Sequence, residues 1–386
     1  IRDSLFIEKK DEIKKLVIKK IPTIWSPNKS NGLQKELKAK TILFKNATPW
    51  TNEDLGIIKS ADIAISNGKI VAIGESLDTN QIPNYENLDL QILDVKGKHL
   101  TTGIIDEHSH ISISNGVNES SQSVTAEVSI SDVINPEDHN IFRQIASGVT
   151  CSQLLHGSAN PIGGQSALIK LRWGKSAEEM KIQNTDGFIK FALGENVKQS
   201  NWGSFNTTRF PQTRMGVEQV FYDAFYRAKD YKKNWEKYNS LSTRQKRETD
   251  PPREDLELNT LVEILDGKRH ITCHSYVESE INMLMHVADS MGFKINTFTH
   301  ILEGYKVTEK LKKHSAGAST FADWWAYKFE VNDAIPYNAS ILNNAGVVTA
   351  INSDDAEMGR RLNQEAAKAI KYGGTSEEDA WKMVTL

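Results

Sequence analysis

Short β-type runs fill the chain from Thr41 to about residue 100, and beyond that point apolar strands alternate with amphipathic helical stretches. Thr41–Phe44, Ala61–Ser66, Lys69–Ile73 and Gln91–Val95 are the early runs, and Asn67-Gly68 between two of them predicts a tight hairpin. They predict a small antiparallel β unit over residues 39–100. Downstream, strands are predicted at Gly103–Ser109, Ser123–Ser129, Val149–Leu155, Gly187–Leu193, His270–Ser275, Lys294–Thr299, Ala316–Phe321 and Val347–Ser353. Helices are predicted at Asp138–Ser147, Glu278–Met291, Thr308–His314, Tyr337–Ala345 and Gln364–Tyr372. Eight strands with helices between them predict the α/β class and a (β/α)8 TIM-type barrel over residues 101–386. Arg209–Leu258, between the fourth and fifth strands, reads as a long insertion, helical in pattern up to Pro251-Pro252. Residues 1–38 form a polar N-terminal extension, with a short helix expected before the turn-rich Ser26–Gly32.

Composition narrows the function classes. The net charge of -3 lacks the basic excess of a nucleic-acid binder. No stretch approaches the roughly 20 apolar residues that span a bilayer, and the basic run Glu8–Lys20 alternates with acids and apolar residues as a solvated helix face does. Cys151 and Cys273 sit in apolar, strand-like runs, so both read as buried free thiols, and two cysteines define no disulfide framework. Cysteine poverty fits cytoplasm and bacterial periplasm alike. The first residue is Ile and no signal peptide is visible, so the chain reads as a fragment whose N-terminus is missing. A small-molecule substrate is the expected partner, and a homo-oligomer stays open.

The candidate chemistry lies at strand ends. Gly103-Ile-Ile-Asp-Glu-His-Ser-His110 is an apolar strand closing on His-x-His, and period-two alternation puts His108 and His110 on one face. Alone, the pair reads equally as two polar residues at a strand end. His274, however, closes Arg269-His-Ile-Thr-Cys-His274, His300 closes the next strand, and Asp354 closes the last. At the C-terminal mouth of a parallel barrel these five side chains converge, and imidazole with carboxylate is the ligand set of a catalytic divalent cation, Zn2+ above all.

These stretches, together with Gly148-Val-Thr, Thr299-His-Ile and Asn352-Ser-Asp-Asp355, resemble the amidohydrolase superfamily, in particular its imidazolonepropionase-like branch. The resemblance runs from about Thr41 to the end. It implies a metal-dependent hydrolase in which a metal-activated hydroxide cleaves an amide-type C–N bond of a dipeptide, an N-acyl amino acid or a cyclic amide. The alternatives are a deaminase or an ester or lactone hydrolase on the same barrel and, in another class, a metal-free, non-catalytic scaffold. Family members add C-terminal strands to the N-terminal β unit, making it sandwich-like; this chain ends at Leu386, so the unit reads as incomplete.

The resemblance also implies roles. Lys190, in Asp186-Gly-Phe-Ile-Lys190, falls where binuclear members carry a carboxylated lysine bridging two cations, and Glu195 is the second choice for that carboxylate. With two ions, His108, His110 and Asp354 hold one, and Lys190, His274 and His300 the other. With one ion, His300 stabilises the oxyanion. Asp354 is the expected base for the attacking water and the acid for the leaving nitrogen.

Substrate contacts are read from strand-end loops. Gly157–Gln165 is Gly-rich, so it is either a loop bringing Gln165 or backbone N–H groups to a substrate or an ordinary turn. His156 is a contact or a packed histidine, Tyr276 a donor to a carbonyl or a rim residue. Arg214, with Arg209 nearby, is a carboxylate ligand or a surface arginine. Trp324-Trp325 reads as rim packing.

Overall fold

The computed structural model describes residues 23–82, 89–203 and 209–386. The Glu8–Lys20 run and the helix expected in the extension lie outside the described residues.

Strands β1 (Thr41–Pro49), β2 (Ala61–Ser66), β3 (Lys69–Gly74), β4 (Leu90–Asp94) and β5 (His99–Leu100) make the first sheet, in the order β3-β2-β1-β4 with β5 alongside β1. Asn67 and Gly68 join β2 to β3 with φ of 50° and 73°, the left-handed pair that a two-residue hairpin turn demands. The expectation of a purely antiparallel unit is corrected: β4 and β5 both pair with β1 in parallel. After β3 the chain crosses to the far edge of β1 instead of turning back beside β3, and only such a crossover makes parallel neighbours. Leu43, Ala64, Leu77 and Ile82 form this unit's core.

The remaining strands are β6 (Ile104–Ser109), β7 (Val149–Leu154), β8 (Ile162–Gln165), β9 (Ala167–Lys170), β10 (Gly187–Ala192), β11 (Arg269–His274), β12 (Thr297–His300), β13 (Gly317–Thr320) and β14 (Thr349–Ile351). They form a six-stranded sheet, β14-β13-β12-β11-β10-β8, and a three-stranded one, β6-β7-β9. Neighbours are parallel except where β8 meets β10 and β9 meets β7. Only Ser166 separates β8 from β9, so the run from Ile162 to Lys170 ties one sheet to the other. At the opposite edges the Asp354 N–H donates to the His108 carbonyl at 3.1 Å, and the Ile105 and Ile351 N–H groups donate to the carbonyls of Val384 and Met383.

One predicted strand is wrong. Ser123–Ser129 carries turns and two isolated bridges, Val124 to Ile162 and Ser129 to Gln165. The run beginning at Ile162, expected as part of a loop, takes the place between β7 and β10. Gly163 and Gly164 disguise it as a turn, but they serve close approach. A Cβ on Gly164 would meet the Val128 carbonyl oxygen at 2.9 Å and one on Gly163 the His156 ring at 2.8 Å.

Helices sit close to where the periodicity predicts them, at His139–Ile145, Glu278–Met291, Thr308–His314, Asn338–Asn344 and Leu362–Gly373. The insertion contains a 26-residue helix, Arg214–Asn239, capped by the Thr213 hydroxyl on the Gly216 N–H. It buries Val217, Phe221, Ala224, Phe225 and Ala228, an i, i+4, i+7, i+8, i+11 stripe. Phe225 stacks on Phe293 with centroids 3.9 Å apart, fixing the insertion to the main core. Cys273 is buried as expected, but Cys151 is only half-buried. Among the described residues, no helix is long and apolar enough to cross a membrane.

Candidate metal centre

Register brings the strand tips level. Ala192 of β10 pairs with His274 of β11, and His274 pairs with Thr299 beside His300 on β12. His108 sits near the end of β6, His110 one residue beyond it, and Asp354 three residues beyond β14. Both His300 (φ 67°) and Asp354 (φ 49°) occupy left-handed backbone, a conformation costing about 1–3 kcal/mol that persists where surrounding structure imposes it and clusters at functional sites.

His108, His110 and Asp354 each offer an atom, all within 4.8 Å of one another. Asp354 Oδ1 lies 3.1 Å from His110 Nε2 and 3.5 Å from His108 Nε2, while Oδ2 lies 3.5 Å from His300 Nε2. His274 stands edge-on to His300, centroids 4.9 Å apart. Lys190, 1% exposed, places Nζ 2.9 Å from His108 Nε2.

Hydrogen-bond partners lie on the far side of the His108, His110 and His300 rings. His110 Nδ1–H donates to the Leu155 carbonyl at 2.9 Å, since a carbonyl only accepts. His110 Nε2 then faces Asp354 Oδ1 at 3.1 Å, and the two meet across a proton or across a cation. His274 Nε2 and His300 Nε2 are buried with no hydrogen-bond partner. Buried polar atoms are otherwise nearly always paired, so these lone pairs fit a divalent cation. Neutral imidazoles and a carboxylate are the right donors.

Electrostatics agree. Burial and the nearby Lys190 charge hold His108 well below the usual imidazole range; burial and His300 do the same for His274. Burial takes His300 to about 3, so all three are neutral and ligand-ready at pH 7. Burial pushes Asp354 up, but the His110 hydrogen bond and the neighbouring His300, His110 and Lys190 outweigh it and hold the carboxyl at about 2. Burial lowers Lys190 to about 8, against the attraction of Asp354 and Glu107.

The other expected contacts are engaged elsewhere. Glu195 binds Lys328 at 3.1 Å. Gln165 donates to the Ala126 carbonyl and the Thr260 hydroxyl. His156 accepts the Glu119 N–H on Nε2 and reaches the Gly157 carbonyl with Nδ1. Arg214 pairs with Glu280 at 2.5 Å, and Arg209 donates to three loop carbonyls, those of Ser120, Gln122 and Ala159. Tyr276 does reach the centre, stacked on His300 at 5.9 Å. Phe321 stacks on the other side of His300 at 4.5 Å and Trp324 on Phe321 at 4.4 Å. Asp355 faces away and caps the helix Ala356–Gly359. Sequence reading missed Lys328, whose Nζ lies 4.5 Å from the Tyr276 ring centroid and between Glu195 and Glu330. It also gave no role to Thr299 and Asn352, which accept from His108 and His300; their position beside those ligands' neighbours was the available signal.

No protein-family model matches the chain. A solved amidohydrolase from Thermotoga maritima MSB8 superposes with a TM-score of 0.77 at 30% identity, over 89% of this chain and 86% of that one. The chain belongs to the amidohydrolase superfamily. This amidohydrolase is also 30% identical over 373 residues to amidohydrolase tasK of Hapsidospora irregularis, an alignment covering 86% of the chain but 37% of that relative's length. Imidazolonepropionase of Geobacillus kaustophilus matches over 76 residues at 36% identity, 18% of each protein. A Xaa-Pro dipeptidase structure, at 12% identity and a TM-score of 0.50, shares the fold alone.

Proposed function

We propose that this amidohydrolase is a metal-dependent hydrolase of amide-type C–N bonds, acting on a dipeptide, an N-acyl amino acid or a cyclic amide. In this reading residues 39–100 are a companion β unit and residues 101–386 a (β/α)8 barrel with the helical insertion 209–258. Its eight members are β6, β7, the run from Ile162 to Lys170, and β10 to β14, with the third antiparallel. The observation that carries the reading is the convergence at one end of β6, β11, β12 and β14 of three buried neutral imidazoles, His110 and an ionised carboxylate, with two Nε2 atoms unpartnered.

His108, His110 and Asp354 would hold one divalent cation, Zn2+ being the best match to the donors, and His274 and His300 with Lys190 a second. Lys190, buried and drawn down to about 8, has enough neutral amine near pH 7 to add CO2, releasing a proton to solvent, and the resulting carbamate would be a further anionic ligand for the metal. When bound, the metal supplies the acidity that makes water a nucleophile near neutral pH and polarises a carbonyl. Asp354, ionised at neutral pH, accepts the proton that the attacking water gives up and delivers it to the leaving nitrogen. Tyr276, held well above the usual phenol range by burial and the Tyr327 hydroxyl, keeps its proton and donates it to a hydrogen bond with the substrate carbonyl. Phe321 and Trp324 wall the centre against solvent.

The test is a metal-replete screen of dipeptides, N-acyl amino acids and cyclic amides, with Asp354→Asn as control. Hydrolysis that falls about 10²- to 10⁴-fold in the variant supports the assignment. Full activity in the variant, or no hydrolysis of any of these by metal-replete protein, refutes it.

A further inference from the structure

Beneath the imidazoles lies a polar network that the proposed chemistry does not use. Glu107, between Asp106 and His108, sends its carboxylate across to β12 and β13, where Oε1 accepts the Ser319 hydroxyl and, at 3.4 Å, the Thr299 hydroxyl. Asn352 Nδ2 donates to Ser319 Oγ at 2.6 Å and to Thr299 Oγ1 at 3.2 Å. Two rings complete the network: His108 Nδ1 lies 2.9 Å from Thr299 Oγ1, and His300 Nδ1 lies 3.3 Å from Asn352 Oδ1.

Counting protons gives this network one direction. An ionised Glu107 only accepts, so each hydroxyl spends its single hydrogen on it. Thr299 Oγ1 and Ser319 Oγ can then only accept. Asn352 spends its two N–H groups on them, which turns Oδ1 toward His300. Nδ1 of both rings must therefore carry the proton. An ammonium at Lys190, 2.9 Å from His108 Nε2, fits the same assignment, whereas its neutral amine would fit either tautomer. Each Nε2 is left with a lone pair, that of His108 toward Lys190 and that of His300 without a hydrogen-bond partner.

We infer that Glu107 is a positioning residue that, through Thr299, Ser319 and Asn352, locks His108 and His300 in the tautomer whose Nε2 binds metal. The hydrogen-bond arrangement stands on its own, while its purpose rests on the metal-centre reading. One carboxylate thereby sets two ligands that are 192 residues apart in the chain. Outer partners of this kind fix ring orientation, and their loss costs about 10- to 100-fold in metal affinity.

Long-range 1H–15N spectra of histidine-labelled, metal-free protein read the tautomers directly, and competition with a chromogenic chelator reads Zn2+ affinity. In the wild type both rings should carry the proton on Nδ1. Glu107→Leu removes the acceptor, frees the Thr299 hydroxyl to donate to His108 Nδ1, and should shift His108 and His300 toward the Nε2–H form while weakening Zn2+ about 10- to 100-fold. Glu107→Gln, which keeps an acceptor oxygen, should restore the tautomers. Should Glu107→Leu not fold, Thr299→Val should alter His108 and leave His300 in place. An Nε2–H ring in the wild type, or unchanged tautomers in both Glu107→Leu and Thr299→Val, overturns the inference. Wild-type tautomers as expected without stoichiometric Zn2+ leave the Glu107 arrangement standing and overturn the metal-centre reading instead.

Discussion

Lys190 is a buried charge at this site, and replacing it should separate function from stability. Its side chain is 1% exposed, and burial lowers its proton affinity from the ordinary 10.5 to about 8 even with Asp354 and Glu107 attracting it. At about 1.4 kcal/mol per pH unit, keeping the ammonium charged in the folded, metal-free protein costs about 3 kcal/mol at pH 7. Lys190→Met removes that cost and fills the same space with a flexible apolar chain. For 386 residues, an unfolding entropy of about 2.1 cal/mol/K per residue gives about 0.8 kcal/mol/K, so Tm should rise by about 4 °C. The pH dependence carries a sign as well. Between pH about 8 and 10.5 the unfolded chain keeps the lysine proton that the folded one has released, so wild-type stability gains on the variant's as pH rises through that window and the difference closes. Calorimetry of chelator-treated protein at pH 7 and pH 10 measures both effects. On the proposed ligand set the order should reverse with Zn2+ added, because the variant would gain less from the metal. A lower or unchanged Tm for metal-free Lys190→Met at pH 7 would refute the reasoning.

Two further predictions concern the frame around the centre. Gly164→Ala forces a methyl to within 2.7 Å of Val128 Cγ2 and 2.9 Å of the Val128 carbonyl oxygen, and because the carbonyl is backbone that cannot swing aside the variant should lose about 1–3 kcal/mol, read as a lower urea midpoint. Phe225→Ala empties a fully buried site stacked on Phe293 and should cost about 3–5 kcal/mol; a loss below 1 kcal/mol by the same assay would show that the insertion is not anchored there.

The parts of the fold read correctly from sequence are those where local pattern and tertiary role coincide. An apolar strand closing on histidine announces itself at Arg269–His274 and at Thr297–His300, because a parallel strand must deliver its C-terminal side chain to one end. Glu278–Met291 reads as a helix because its apolar stripe faces the core. The failures have a common origin in partners distant along the chain. Gly163 and Gly164 depress strand propensity locally, and only the approach of Val128 and His156 explains them. The parallel direction of β4 depends on a crossover that no residue in the strand encodes. Gln165 and Arg214 look free in sequence, yet Thr260 and Glu280, 95 and 66 residues away, claim them. Glu107 went unnoticed between two better motifs because Ser319, its partner, lies 212 residues downstream.

The central claim is that these strand tips share a cation, and anomalous scattering from crystals of the Zn2+- or Co2+-loaded protein tests it most directly. The account predicts a peak about 2.0–2.2 Å from His108 Nε2, His110 Nε2 and an Asp354 oxygen, with any second peak beside His274 and His300. Fully loaded crystals with no peak within coordination distance of His110 and Asp354 would contradict it.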